Sequence, residues 1–290
     1  MANLRGGTFE KQVKDAFHRT LAFGEGRHFS NDNLTHSVAL AEKRKMYLND
    51  FKNFLEQKGI KEGKLNQFMS ESTIKEFLQS RISDLSPKTA LDYTTGFNSL
   101  LKGLEQANIT IKADLSKDFL SNIRENLREA LKNQEIEKNR AVENLENKLQ
   151  ELYQKDYYSG VVAELQSKLG FRVSEAQEIV QNFNKYYNEQ ENKLSGVIGK
   201  GNHEYHQKEI THQLALKIQK VQEIKSYQTY LKNLKSIGIE KTHNLRYSFV
   251  KENYKTLLEK GLTHKEILKT ISKEINHHRE EITTYYLSKS

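Results

Sequence analysis

A single proline in 290 residues, at position 87, restricts this chain more than any other feature. Proline ends helices by removing a donor and clashing with the preceding turn, and glycine weakens them entropically. With only 15 glycines beside that proline, long windows carry no helix breaker. The chain is therefore expected to be mainly α, with β-structure limited to a small hairpin or sheet. From about residue 35 the 3.6-residue period is clear, since Tyr47, Leu48, Phe51, Phe54 and Leu55 line one face. That helix should end near Gly59. A second runs around Ile74, Phe77, Leu78 and Ile82, and a third opens at Leu85-Ser86-Pro87. There Ser86 is placed to cap and Pro87 to occupy the first helical position. Together they predict a bundle of about four helices closing near Ile111.

The length suits two domains. Residues 113 to 156 are highly charged, and their apolar stripe returns only at Leu145, Leu149, Leu152 and Tyr153. A coiled coil is the alternative there, but the heptad is not sustained. The charged stretch KNQEIEKNR offers little to a core and marks a boundary. The expected division is an N-terminal arm at 1–34, a helical domain at 35–135 and a second domain at 136–290. The arm, rich in Gly, Asn and His around one short helix, reads as a flexible leader or a DNA-contacting extension.

Fourteen Tyr and 13 Phe supply the buried surface that a disordered chain lacks. The absence of cysteine excludes disulfides, thiolate nucleophiles and cysteine-ligated metals, and fits an intracellular protein. No apolar run reaches signal-peptide or membrane-spanning length, so a soluble, unexported protein is expected. The net charge is +8, which suits a polyanionic partner. The excess is local: Lys232 to Arg279 holds eleven Lys and Arg against five Glu.

That basic segment contains HNLRYSF, residues 243–249. His243 and Arg246 lie one turn apart on one helical face, an arrangement that also decorates ordinary solvated helices. Three other stretches carry matching polar residues. In LGFRVSEAQEI, 169–179, one helix ends at Gly170 and another opens near Ser174. This leaves Arg172 at a junction, either aimed from a fixed backbone or simply paired with Glu175. In VIGKGNHEY, 197–205, β-formers flank a Gly-Lys-Gly-Asn turn that puts Lys200 at a hairpin tip. A phosphate-binding Walker loop is excluded, because position 194 is Leu where that pattern needs Gly. His203 and His206 have metal-like spacing but no third ligand in view. The last stretch is INHHREEITTYYL, 275–287.

Taken in order, LGFRVSE, GKGN, HNLR and a histidine nine residues before a tyrosine resemble the catalytic domain of the tyrosine recombinases, the phage integrase family. The resemblance covers about 140–290, and residues 35–111 look like that family's core-binding bundle, a SAM-like helical domain. The leader looks like that of integrases from mobile elements. The resemblance implies catalytic roles for Arg172, Lys200, His243, Arg246, His277 and Tyr286. His278 and Tyr285 compete for the last two, but His277 with Tyr286 keeps both the nine-residue spacing and the Ile282-Thr283 register. Two features depart from the pattern. Asn276 stands where the family usually has glycine, a change that asparagine's access to positive φ permits. The Lys200–His243 interval is also shorter than in the family.

The resemblance further implies a DNA breaking-rejoining enzyme: a site-specific recombinase acting through a 3′-phosphotyrosine link on double-stranded DNA. Implied with it are a homotetramer spanning two sites, room for accessory DNA-bending proteins, no cofactor, and a cytoplasmic, nucleoid-associated location. Two arginines, two histidines, a lysine and a tyrosine are a chemically sensible set for cleaving a phosphodiester without metal. A binding-only relative and a relaxing enzyme of the type IB topoisomerase kind are the alternatives.

Overall fold

The computed structural model describes residues 4, 7–24, 32–111, 117–133, 139–277 and 279–290. Two compact units divide the chain, Met1–Glu135 and Ile136–Ser290. Parts of the expected arm (25–31) and of the expected boundary (134–138) lie outside the described residues.

The first unit contains helices α1 (Phe9–Arg19), α2 (Val38–Gln57), α3 (Glu71–Ile82), α4 (Pro87–Gln106) and α5 (Lys117–Asn133). The predicted stripe of α2 is buried along its length, and α2 stops at Gln57, just before Gly59 at φ 80°. Ser86 caps α4 by accepting the Thr89 N–H, with Pro87 in the first helical position. Aromatic rings tie the bundle together: Phe77 packs 5.2 Å from Phe51 and 5.1 Å from Phe97, and Tyr47 lies edge-on to Tyr93 at 4.7 Å. Helix α1 does not stand apart as an arm, because Phe9, Val13 and Ala16, with Leu4, enter this same core. Its Gln12 is fully buried. The side-chain amide donates to Gly7 O and Gly63 O and accepts from Leu65 N, which satisfies it without solvent.

The second unit contains α6 (Leu145–Lys155), α7 (Tyr157–Leu169), α8 (Val173–Gln181), α9 (Phe183–Tyr186), β1 (Tyr187–Asn188), β2 (Lys193–Leu194), β3 (Lys208–Glu209), α10 (His212–Gln219), α11 (Tyr227–Ser236), α12 (His243–Glu259), α13 (His264–Glu274) and α14 (Glu280–Leu287). Helix α7 is buried nearly all round and sits at the centre, with Val161, Val162, Ala163 and Leu165 excluded from solvent. The strands form one small antiparallel sheet in the order β1-β2-β3, with Leu194 opposite Lys208. A separate cluster of Tyr247, Phe249, Val250, Ile267, Ile271, Ile275 and Tyr286 joins α12, α13 and α14. Among the described residues no helix is long and apolar enough to cross a membrane.

Candidate active site

Gly170 ends α7 in the left-handed region at φ 70°, and a Cβ there would stand 2.7 Å from the Phe249 ring. Glycine is therefore required twice at this position, for its backbone angle and for the close approach. The chain turns sharply and Arg172 becomes the residue before α8. The Glu175 carboxylate locks this junction, accepting from the Arg172 backbone N–H at 2.7 Å and from its guanidinium at 2.9 Å. Burial pushes this carboxyl up, but hydrogen bonds from Tyr205 and Arg172 outweigh it and hold the pKa below the usual value. Arg172 thus makes the local ion pair and also reaches outward, with its second terminal nitrogen 3.4 Å from His277 Nε2.

His243 opens α12, and Arg246 follows one turn later with no exposed surface. The Arg246 guanidinium donates to Ile275 O and, at 3.4 Å, to the Tyr205 hydroxyl. Tyr205 also receives Arg172 at 3.3 Å and donates to Glu175 at 2.6 Å. One phenol thereby holds both arginines and their carboxylate counter-charge. Burial raises the Tyr205 pKa to about 12, with Arg246 opposing and Glu175 adding to the shift, so it remains a neutral bridge at any working pH.

Helix α14 follows the turn at Asn276, whose φ of 52° shows asparagine in the left-handed conformation expected at a glycine position. Tyr286 is 4% exposed and its hydroxyl lies 2.5 Å from His243 Nε2. Its ring stands 4.7 Å from that of Tyr247 and 6.2 Å from that of His277. Tyr285, one residue back and therefore about 100° around the helix, is 46% exposed. His278 lies outside the described residues. Five of the six predicted residues, Arg172, His243, Arg246, His277 and Tyr286, are joined by these contacts. Lys200 is not. It lies exposed in the β2–β3 hairpin, where Ile198 bridges Glu204 and Gly199 N donates to His203 O at 2.8 Å.

Both histidines are held neutral. Burial and the charges of Arg246 and Arg172 push each imidazole down to about 4; Arg140 adds to the effect at His243, and His243 adds to it at His277. His243 retains an exposed edge although its Nε2 is covered by Tyr286, so solvent screening reduces the energetic consequence. Burial raises the Tyr286 phenol above its ordinary value despite the two arginines. The sign of the pH effect follows. Between about pH 6.5 and 4 the unfolded chain takes up protons at these rings and the folded chain does not, so stability should fall as pH drops through that window. An NMR titration of the free protein should show both rings neutral until about pH 4, and a midpoint near 6.5 would contradict this packing.

Sequence reasoning missed Tyr205, and it treated Glu175 only as a local partner of Arg172. Tyr205 pairs with Val197 in the hairpin and its ring is buried, but the partners that make it a bridge lie too far along the chain for neighbouring residues to mark it. His206 lies 2.9 Å from Glu274, which also pairs with buried Lys208 at 2.7 Å.

No protein-family model matches the chain, and no curated protein does. Among solved structures the chain is similar to the XerH site-specific recombinase bound to palindromic difH substrate in a post-cleavage complex. That likeness has 15% identity and a TM-score of 0.56, and covers 96% of this chain and 79% of XerH. A second likeness, to the XerA recombinase, has 12% identity over 94% of this chain and 93% of that one, and its TM-score of 0.38 is too low to define a shared fold. The chain therefore has the fold of a tyrosine recombinase.

Proposed function

We propose that this protein is a site-specific DNA recombinase that cuts and rejoins duplex DNA through a 3′-phosphotyrosine intermediate. The observation that carries the proposal is the Tyr286 hydroxyl, seated on His243 Nε2 beside two arginines that share one bridge. A guanidinium fork is well matched to phosphodiester oxygens, which fits two arginines gathered beside this phenol.

In this reading Arg172 and Arg246 bind the two non-bridging oxygens and stabilise the added charge of the pentavalent transition state. Tyr286 Oη attacks phosphorus and its proton passes to His243. The P–O5′ bond breaks, the leaving oxygen takes a proton from Lys200, and His277 donates through its N–H to a phosphate oxygen. A phenol held above its ordinary pKa needs that base. The bound phosphate strengthens it, because a negative charge between the arginines cancels part of the field that depresses the imidazoles. The phosphotyrosine conserves the energy of the broken bond, so religation requires neither nucleotide hydrolysis nor a metal.

The first unit serves as the core-binding domain on duplex DNA, and the second unit as the catalytic domain. Strand exchange then needs four protomers on two sites, in a cytoplasmic, nucleoid-associated setting open to DNA-bending accessory proteins. Integration or excision of a mobile element is the role that the leader sequence favours. The test is covalent capture. The protein is incubated with nicked duplexes of random sequence, denatured, and the trapped DNA is sequenced and the adduct peptide mapped. An adduct at Tyr286 on a recurring sequence is expected, and no adduct on any duplex would leave a binding-only protein. Strand exchange between two captured sites, rather than relaxation of supercoils on arbitrary DNA, separates a recombinase from a relaxing enzyme.

Binding should also weaken steeply with salt. Each neutralised phosphate contributes about −0.9 to the slope of log K against log salt, so five or more contacts give about −4.5 or steeper. A slope near zero in a fluorescence titration would remove duplex DNA as the partner.

A further inference from the structure

We propose that Asn276 is a positioning residue that clasps the β2–β3 hairpin to the turn carrying His277, and so sets where Lys200 is delivered; this rests on the recombinase reading. The Asn276 side-chain amide donates to His203 O at 2.9 Å, a carbonyl that already accepts the Gly199 N–H at 2.8 Å. Both lone pairs of that carbonyl are then engaged, one inside the hairpin and one by α13's trailing turn. The fit continues at Gly199. A Cβ there would come within 2.8 Å of Asn276 Nδ2, 2.9 Å of the Tyr205 ring and 3.1 Å of Glu175 Oε1. The hairpin backbone therefore lies directly against Glu175 and Tyr205, which hold Arg172, and a side chain at 199 would have to displace them and the Asn276 amide. Lys200 is the next residue along the chain.

The base of the same hairpin is held to the same turn. Lys208 on β3 pairs with Glu274, the last residue of α13, at 2.7 Å, and His206 meets its other oxygen at 2.9 Å. Two residues on, Asn276 fastens the tip. A glycine at 276 would satisfy the φ of 52° equally well, but it offers no donor. The asparagine therefore does something that the turn alone does not require. With both ends tied to the segment that presents His277, the hairpin cannot swing freely, and the lysine's search for the leaving 5′-oxygen is confined to motion of its own side chain and the turn.

Asn276→Gly keeps the turn and removes the donor. Asn276→Asp keeps the shape, tolerates the same φ, and sets an acceptor against an acceptor. In the free protein, amide hydrogen exchange across 197–206 should accelerate in both variants while the rest of the second unit is unchanged. Unchanged protection in that segment overturns the clasp, and this measurement needs no DNA.

The functional arm uses duplexes obtained by covalent capture from the random pool, made with either oxygen or sulfur at the scissile 5′ position. A thiolate has a conjugate-acid pKa near 8.5 and leaves without a proton, whereas an alkoxide does not. On the oxygen substrate Lys200→Ala should be slow and Asn276→Gly should lose about five- to tenfold, the worth of one hydrogen bond. On the sulfur substrate both should return to within about twofold of wild type. An Asn276→Gly protein as fast as wild type on oxygen, or equally slow on both substrates, overturns the proposal, the latter because a general structural defect is not rescued by a better leaving group. Lys200→Ala cutting oxygen at the wild-type rate overturns the delivery role. Should wild type form no adduct with any duplex, the recombinase reading fails and the delivery role fails with it, while the exchange result still decides the clasp.

Discussion

Tyr286→Phe should fold, bind DNA and form no covalent adduct. The substitution removes one oxygen and keeps a ring that packs against Tyr247 at 4.7 Å and is 4% exposed. The buried hydroxyl meets His243, a residue with its own route to water, and the Arg246 guanidinium keeps its bonds to Ile275 O and Tyr205, so the stability change should stay within about 1 kcal/mol. Cleavage should fall below detection, because no other group can form the phosphotyrosine bond. Tyr285→Phe is the matched control: Tyr285 is 46% exposed and should still yield adduct. An adduct mapped to Tyr285, or one from Tyr286→Phe at wild-type yield, would show that the neighbouring tyrosine is the nucleophile.

Arg246→Ala should lose both activity and stability, and the two can be separated. The side chain has no exposed surface and donates to Ile275 O and Tyr205. Removing it leaves a void and an unmet carbonyl, a cost of about 2–4 kcal/mol in unfolding free energy. Loss of a preorganised donor to the transition state adds about 3 kcal/mol to the barrier, roughly a hundredfold or more in rate. Arg246→Lys fills much of the volume and keeps the charge, so it should recover most of the stability and little of the rate, since an ammonium cannot span two oxygens as a planar fork does. Single-turnover cleavage beside thermal melting reads the two effects. Recovery of rate in step with stability would mean that Arg246 is structural.

Much of the molecule was legible because its causes are local. Ser86 and Pro87 start a helix through their own backbone chemistry, and the Tyr47-to-Leu55 stripe declares which face of α2 is buried. Gly170, Asn276 and the Gly201-Asn202 pair of the hairpin turn take up positive φ, a conformation that these residue types tolerate. The tertiary structure decided what is brought together across distance. Residue type alone would leave His243 and Arg246 on a solvated face; only the packing of α13 and α14 over α12 encloses Arg246 and sets Tyr286 on His243. Tyr205 had no local mark as a bridge, since its partners lie 30, 33 and 41 residues away. Gln12 and α1 read as part of a polar leader until the acceptors at Gly7 and Gly63 and the donor at Leu65 closed around that amide. A local rule needs only neighbours within a turn, and a polar residue's burial depends on partners whose positions the whole fold must supply.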